Sequence, residues 1–360
     1  MADVDVAIVG AGAAGVAAGR RLAAAGARFV LLEARDRVGG RAHTVHLEGL
    51  PLDLGCGWLH DAAENRCREV FQHDLGLALD RTPPPWGGPA LTAGFPLEAQ
   101  ADYRRALGAF EARLEAAARH PHDRPASDLL EPGARWNPLL EAFSNAYNGA
   151  ELERISVKDF DRYREGNGDW RAPGGYGAAV VRAAQGLPVR LGAPVARISL
   201  AGGEARIALA DGGRLAADQV IVTLPTSLLA RGAITFDPPL PEVEQAALVV
   251  PLGCAGKAFH AIEGNADDLA PPEGLLYGAT DTSRTASHHI RPFGRPYVES
   301  YFGGATAHEL EAAGEAALLD FARDQIAERL GARWRTRLRP LAETSWSVDP
   351  WSRGAYSHAL

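Results

Sequence analysis

The sequence has few cysteines, no excess of basic charge and no long apolar run. Cys56, Cys67 and Cys254 form neither a disulfide framework nor the paired spacing of a metal site. A net charge of −8, from 37 basic and 45 acidic residues, argues against a nucleic-acid or anionic-membrane partner. No apolar run is long enough to span a bilayer, and no signal peptide precedes the first predicted strand. We therefore expect a cytoplasmic location. The 360 residues suffice for two domains with separate cores.

A hydrophobic strand, 4–9, runs directly into a glycine-rich turn that contains Gly10, Gly12 and Gly15. An alanine-rich helix and a second strand, 29–32, follow and lead to Glu33. Gly10 allows the tight turn, Gly12 lets the backbone approach a pyrophosphate, and Gly15 lets the helix pack on the sheet. The helix N-terminus offers N–H groups to phosphates, and Glu33 offers a carboxylate to ribose hydroxyls. The arrangement predicts a bound adenine dinucleotide; the alternative is a glycine turn that serves packing alone.

Two arginines, Arg37 and Arg41, then flank a pair of glycines in the run Arg-Val-Gly-Gly-Arg. Their guanidinium groups suit a second phosphate contact while the glycine backbone passes close to the ligand. This stretch resembles the flavin-containing amine oxidase family (monoamine and polyamine oxidases and their relatives), whose opening motif ends in such a Gly-Gly-Arg. The resemblance indicates FAD rather than NAD. A basic surface turn is the alternative.

The resemblance extends along nearly the whole chain, through segments 54–60, 172–176, 222–225, 346–350 and 354–357. It implies an α/β fold in which a Rossmann-like FAD-binding domain of the GR2 type is interleaved with an α+β substrate domain. The expected FAD-binding parts are 1–81, 172–237 and 346–360, and the expected substrate-domain parts are 82–171 and 238–345.

Local patterns predict several elements of these domains. The prolines of 83–89 exclude helix and sheet interior and mark the first crossing out of the nucleotide domain. Beyond them, an amphipathic helix and then short alternating strands are predicted. The helix rests on Tyr103, Leu107, Phe110 and Leu114, and the strands, a β-meander, on Ala205, Ile207 and Leu209. The run Val220–Leu224, stopped by Pro225, predicts a buried strand.

The motif and the resemblance together predict a set of FAD contacts. The set covers the glycine turn, the end of the second strand, the Gly-Gly-Arg loop, a segment beside the isoalloxazine ring, an adenine contact and the strand before the second crossing. Its members are Gly10, Gly12, Ala14, Gly15, Glu33, Ala34, Arg35, Gly40, Arg41, Gly55, Gly57, Trp58, Val195 and Thr223.

The resemblance assigns catalytic roles to Lys257 and Tyr356. Lys257 falls where the family keeps a lysine that holds a water near the flavin N5; the alternative is a snorkelling lysine at a strand edge. Tyr356 matches one wall of the family's aromatic cage, and a core tyrosine is the alternative. His60 and Trp346 are further candidates for the substrate pocket, with a solvent-facing histidine and a core tryptophan as alternatives.

Ala355 stands where the monoamine oxidases have a cysteine bonded to the flavin, so the resemblance implies that FAD is held non-covalently. The expected reaction is hydride transfer from the carbon next to a neutral amine to flavin N5, with oxygen or another acceptor taking the electrons. A desaturase-like or protoporphyrinogen-oxidase-like enzyme is an alternative. Arg291 and Arg295 leave open an amino-acid substrate, if they clamp a carboxylate, although surface arginines are the simpler interpretation.

The chain ends at Leu360, four residues after Tyr356. In the family a further segment follows, with a Gly-Glu pair near the flavin and the second aromatic wall of the cage. We therefore expect weak FAD binding and poor turnover, unless a partner chain or a second copy supplies the segment.

Overall fold

The computed structural model describes residues 2–163, 166, 168–264 and 273–360. In chain order its strands are β1 (Val4–Val9), β2 (Phe29–Leu32), β3 (Thr44–Leu47), β4 (Leu50–Asp53), β5 (Trp58–Leu59), β6 (Trp170–Arg171), β7 (Val189–Arg190), β8 (Val195–Ala201), β9 (Glu204–Leu209), β10 (Arg214–Val222), β11 (Thr235–Asp237), β12 (Ala255–Ile262), β13 (Gly274–Tyr277), β14 (Ser287–Ile290), β15 (Tyr297–Gly303) and β16 (Leu338–Glu343).

The helices of the described residues complete the list of elements. They are α1 (Ala13–Ala24), α2 (Arg66–Glu69), α3 (Leu97–Ala118), α4 (Asn137–Asn148), α5 (Val157–Arg162), α6 (Tyr176–Ala183), α7 (Thr226–Leu229), α8 (Pro241–Leu248), α9 (Gly304–Ala313), α10 (Glu315–Leu330) and α11 (Trp334–Arg337). A π-helical turn lies at Val70–Asp74, and 3-10 turns lie at Pro85–Gly87, Ala126–Leu129, Leu152–Arg154 and Pro292–Gly294.

The first compact unit comprises Met1–Arg81, Asn167–Val250 and Pro350–Arg353. Among its described residues, seven strands form one sheet in the order β11-β8-β9-β10-β1-β2-β7. Strands β10, β1, β2 and β7 are parallel, and β8, β9 and β10 form an antiparallel meander. The predicted meander is confirmed, and its inward side chains are buried as the alternation requires.

The bounds predicted for β1 and β2 are confirmed. Ile8 and Leu31 are fully buried because α1 packs over this face of the sheet. The expectation of a buried strand at Val220–Leu224 is partly wrong: β10 ends at Val222, and Ile221 is 36% exposed. Ile221 pairs with Ile8 and points to the same face, but the hydrophobic cluster under α1 consists of β1 and β2 residues and leaves Ile221 uncovered.

The second compact unit comprises Thr82–Gly166, Pro251–Asp349 and Gly354–Leu360. Five strands of its described residues form an antiparallel sheet in the order β13-β14-β15-β12-β16. Helices α9 and α10 pack on this sheet, and α4 contacts β15. The predicted amphipathic helix is confirmed as α3, which buries Tyr103, Phe110 and Leu114 in a cluster with residues of α4.

The first division between the two units follows Arg81, which is also the first expected domain bound. The later divisions follow Gly166, Val250, Asp349 and Arg353, whereas the expected bounds follow 171, 237 and 345. Gly354–Leu360 therefore lies in the second unit. The physical reason is backbone pairing within that unit, since the Ala355 N–H donates to the Gly253 carbonyl at 2.8 Å. The assignment of the units to FAD-binding and substrate domains stays a prediction.

Candidate functional site

The three motif glycines of the turn between β1 and α1 have different surroundings. Gly10 has a φ of +99°, which favours glycine, and a Cβ there would lie 2.8 Å from the Thr223 hydroxyl. A Cβ on Gly15 would lie 1.9 Å from the Gly10 carbonyl oxygen, so α1 packs on the turn because Gly15 has no side chain. For Gly12, the nearest described atom beyond its chain neighbours would be the Gly39 carbonyl oxygen, at 3.9 Å. The space beside Gly12 is therefore the part of the turn that a ligand can enter.

Helix α1 presents its N-terminus to this space. Its first hydrogen bond runs from the Val16 N–H to the Gly12 carbonyl at 2.9 Å, so the preceding amides have no intrahelical acceptor. Among the described residues, the first turn carries no acidic side chain, and Ala14 is exposed there. The N-terminus of α6, by contrast, is occupied, because Asp53 accepts a hydrogen bond from the Tyr176 N–H at 2.9 Å. The start of α1 thus fits a phosphate group.

The Arg37–Arg41 loop lies against the glycine turn. The Gly39 N–H donates to a carbonyl of the turn at 2.9 Å, and the Arg37 guanidinium donates to the Gly40 carbonyl at 2.9 Å. Arg37 therefore supports the loop. Burial lowers the pKa of Arg41, and the neighbouring Cys56 side chain opposes that effect. A half-buried guanidinium is stabilised by a bound anion, so Arg41 fits the diphosphate of FAD.

Glu33 is buried at the end of β2, where both of its carboxylate oxygens accept backbone hydrogen bonds. Oε2 accepts from the Ala11 N–H at 2.7 Å and Oε1 from the Arg35 N–H at 3.0 Å. Each oxygen has a further lone pair that suits a ribose hydroxyl. The Ala193 N–H donates to the Glu33 carbonyl at 2.8 Å, which brings Val195, at the start of β8, to the same end of the sheet.

Two other predicted contacts hold neighbouring backbone segments. The Thr223 hydroxyl donates to the Val9 carbonyl at 2.8 Å and so closes the glycine turn. The Arg35 guanidinium, after Ala34, donates to the Ser352 hydroxyl at 2.9 Å. A direct contact of these residues with FAD stays a prediction.

The predicted segment beside the flavin contains Gly55, Gly57 and Trp58 and continues into β5, which pairs with β6. The Arg171 guanidinium lies 4.7 Å from the centroid of the Trp58 ring, and Arg171 forms an ion pair with Asp80 at 3.0 Å. The Arg171 side chain is 6% exposed, so the ion pair holds its guanidinium beside the Trp58 ring. In the backbone pairing of β5 with β6, Arg171 lies opposite Trp58.

The same alignment brings His60 opposite Asp169. The His60 Nδ1 atom lies 2.9 Å from Asp169 Oδ1. Because a carboxylate only accepts hydrogen bonds, Nδ1 carries a proton, and Nε2 is the acceptor of the neutral ring. The imidazole is 57% exposed, which suits a residue that meets a small molecule.

In the second unit, Lys257 lies in β12, between β15 and β16, and not at a sheet edge. Its Nζ is 2.7 Å from Glu299 Oε1, and the two side chains are 10% and 21% exposed. In the β12–β15 register Lys257 pairs with Tyr301 and Phe259 pairs with Glu299, so Lys257, Glu299 and Tyr301 share one face. The snorkelling interpretation is therefore wrong, since a carboxylate holds the ammonium inside the protein.

The Tyr356 hydroxyl contacts the same cluster. It donates to the Ala146 carbonyl in the last turn of α4, where carbonyls lack intrahelical donors. The Tyr301 hydroxyl, 2.6 Å away, is then the donor to Tyr356, whose single proton is already committed. Burial raises the pKa of both phenols, that of Tyr356 well above its usual 10. Both phenols are therefore neutral near pH 7, and these contacts orient the Tyr356 ring.

Trp346, the other aromatic candidate of this unit, is 7% exposed, and its carbonyl accepts a hydrogen bond from the Gly354 N–H at 2.9 Å. This burial favours the core alternative, and a place in the substrate pocket stays a prediction.

Sequence reasoning missed Asp169, Glu299 and Tyr301. Glu299 and Tyr301 are two positions apart in β15, which places both on one face of the sheet. That alternation was the available signal, but the identity of the neighbouring strand is not encoded in it.

In the part of the chain that the structure describes, no helix is both long and apolar enough to cross a membrane. Within the same residues, no group of three or more His, Cys, Asp or Glu side chains is arranged to hold a metal ion.

Comparison with known proteins identifies the family. Polyamine oxidase 4 of Oryza sativa subsp. japonica is 26% identical over 389 residues, covering 98% of this chain and 78% of that protein. The structure of cyclohexylamine oxidase from Brevibacterium oxydans IH-35A superposes with a TM-score of 0.77 at 20% identity, over 99% of this chain and 88% of that one. Putrescine oxidase bound to putrescine gives a TM-score of 0.72 at 22% identity, with the same shares covered. Residues 13–359 match the family model for flavin containing amine oxidoreductases, and the chain belongs to that family.

Proposed function

We propose that this protein is an FAD-dependent amine oxidase that converts a neutral amine into an imine, which water hydrolyses to an aldehyde and ammonia or a smaller amine. When bound, FAD accepts the hydride equivalent from the carbon next to nitrogen and passes the electrons to oxygen. The observation that carries the proposal is the open space beside Gly12, in a turn where Gly10 and Gly15 are packed against protein.

The first unit supplies the cofactor contacts of this proposal. The N-terminal amides of α1 and the Arg41 guanidinium bind the phosphates, and the second lone pairs of the Glu33 carboxylate accept bonds from the ribose. Ala355 has no thiol with which to form a thioether, which supports non-covalent binding.

The second unit supplies orientation and charge. Lys257 is the cation that stabilises negative charge as it develops during turnover. Tyr356 is an oriented aromatic ring against which the amine packs. In the first unit, His60 Nε2 is the acceptor that removes the proton from an ammonium substrate, so that the amine reacts in its neutral form. The relative named as a polyamine oxidase supports an amine with more than one nitrogen.

The experiment is anaerobic mixing of flavin-loaded protein with monoamines, diamines, polyamines and amino acids. We expect bleaching of the oxidised flavin band with amines and its return, with peroxide, when oxygen is admitted. A large lipophilic polyene serves as the control for desaturase chemistry. Bleaching by the polyene alone, or by none of the amines, would overturn the proposal.

A further inference from the structure

Lysine is rare in this protein. Lys158 and Lys257 are the only two lysines of the chain, and the other basic side chains that make up its 37 positive charges are arginines. Lys158 is half-buried, and its ammonium donates an exposed hydrogen bond to the Pro121 carbonyl at 2.6 Å. Lys257 is buried in the central part of a sheet with a carboxylate at 2.7 Å. An ammonium retained in such a place, in a chain that otherwise uses arginine, indicates a specific use of that side chain.

We propose that Glu299 is a positioning residue that holds the Lys257 ammonium in place for reoxidation of the bound flavin. The inference rests on the proposed function and adds to it a residue outside the predicted site. Glu299 acts through Lys257 and is not itself a catalytic residue.

The geometry limits where the ammonium can go. Lys257 and Glu299 extend from neighbouring strands on one face, so the carboxylate reaches the ammonium from a fixed side. Tyr301, paired with Lys257, is itself held by its hydrogen bond to Tyr356. These contacts restrict the rotamers of the long Lys257 side chain. The ammonium is therefore held in one position.

The charge of Glu299 matters as well as its shape. A buried ammonium without a counter-ion is costly in free energy, and the cost is reduced when the group loses its proton or moves toward water. During reoxidation two electrons and two protons pass from the reduced cofactor to O2, giving H2O2. A cation fixed near the oxygen stabilises the negative charge that develops there, and Lys257 keeps its own proton throughout. Glutamine at position 299 preserves the shape and removes the charge.

The first test needs no cofactor. Flavin-free protein is treated with a limiting amine-acylating reagent, and labelling of Lys257 is measured by peptide mass relative to Lys158. We expect Glu299→Gln to raise this ratio about fivefold, because the neutral amine is the form that reacts. Glu263→Gln is the matched control. Glu263 follows β12, the strand that contains Lys257, and its carboxylate is paired with Arg339 rather than with a lysine. An unchanged ratio in Glu299→Gln overturns the proposal.

The second test measures reoxidation without any amine. FAD-loaded proteins are reduced with dithionite under anaerobic conditions and mixed with oxygen. We expect reoxidation to slow 10- to 1000-fold in Lys257→Met and about tenfold in Glu299→Gln, with Glu299→Asp recovering part of the loss. In the Lys257→Met background, Glu299→Gln should have no further effect.

The outcomes separate the two hypotheses. Wild-type protein that retains FAD but is not reduced by any amine contradicts the proposed function, while the dithionite experiment still measures Glu299. Normal or faster reoxidation in Glu299→Gln, or equal losses in the presence and absence of Lys257, contradicts the positioning role alone. Failure of the wild-type protein to bind FAD contradicts both.

Discussion

Alanine substitutions at Gly12 and Gly15 separate a glycine that serves the ligand from one that serves the fold. At Gly15 the new Cβ would lie 1.9 Å from the Gly10 carbonyl oxygen, well inside contact distance. Helix α1 or the turn has to shift by more than about 1 Å, and overpacking of this kind costs about 3 kcal/mol. We therefore expect Gly15→Ala to lower the stability of the flavin-free protein by that amount and to weaken FAD binding as a consequence.

At Gly12 the same substitution meets open space. The backbone there has a φ of −72°, which alanine adopts without strain, and the nearest carbonyl oxygen beyond the chain neighbours is 3.9 Å away. The flavin-free protein should keep its stability within about 0.5 kcal/mol, or gain slightly because alanine restricts the unfolded chain. The methyl group holds a phosphate away from the α1 amides, and loss of one charge-assisted hydrogen bond, about 2 kcal/mol, weakens FAD binding about 30-fold.

Urea unfolding of the flavin-free proteins and titration with FAD, followed by quenching of flavin fluorescence, measure the two effects separately. Gly26→Ala is the control for backbone strain without overpacking. An added Cβ at Gly26 would meet open space, so any loss of stability in this variant comes from its φ of +71°. The reasoning is refuted if Gly12→Ala binds FAD as the wild type does, or if it destabilises the flavin-free protein as much as Gly15→Ala.

Three further predictions concern the cofactor and stability. Because Ala355 replaces a thiol, trichloroacetic acid should release FAD into the supernatant; a yellow pellet contradicts this. Burial lowers the pKa of His260 from 6.5 to about 4 and that of His288 to about 3. The unfolded chain therefore binds more protons, and stability in urea should fall as the pH drops from 6.5 through 4. A stability that does not change between pH 6.5 and pH 4 contradicts this prediction. Asp80→Ala, which leaves a buried guanidinium without this carboxylate, should cost about 3 kcal/mol, against less than about 1 for exposed Asp211→Ala; equal losses contradict this.

Much of the first unit was predictable because its signals are local. Val4–Val9 is a continuous apolar run that ends at glycine, and Phe29–Leu32 ends at a buried acid, so both strands were assigned with the bounds that the structure has. The helix α3 and the meander β8–β10 follow from periodicity, which a sequence displays directly. The family resemblance added the order of segments and the identities of Lys257 and Tyr356 as candidates.

Contacts between distant segments were decided only by tertiary structure. The pairing of Lys257 with Glu299 depends on β12 lying beside β15 in one register, and that of His60 with Asp169 on the alignment of β5 with β6. A shift of one residue in either register would turn the partner to the opposite face. By itself the sequence determined the turn and the helix, because each depends on neighbouring residues, and the family resemblance added the candidate lysine. Which carboxylate holds that lysine depends on packing of strands far apart in the chain, which no local pattern encodes.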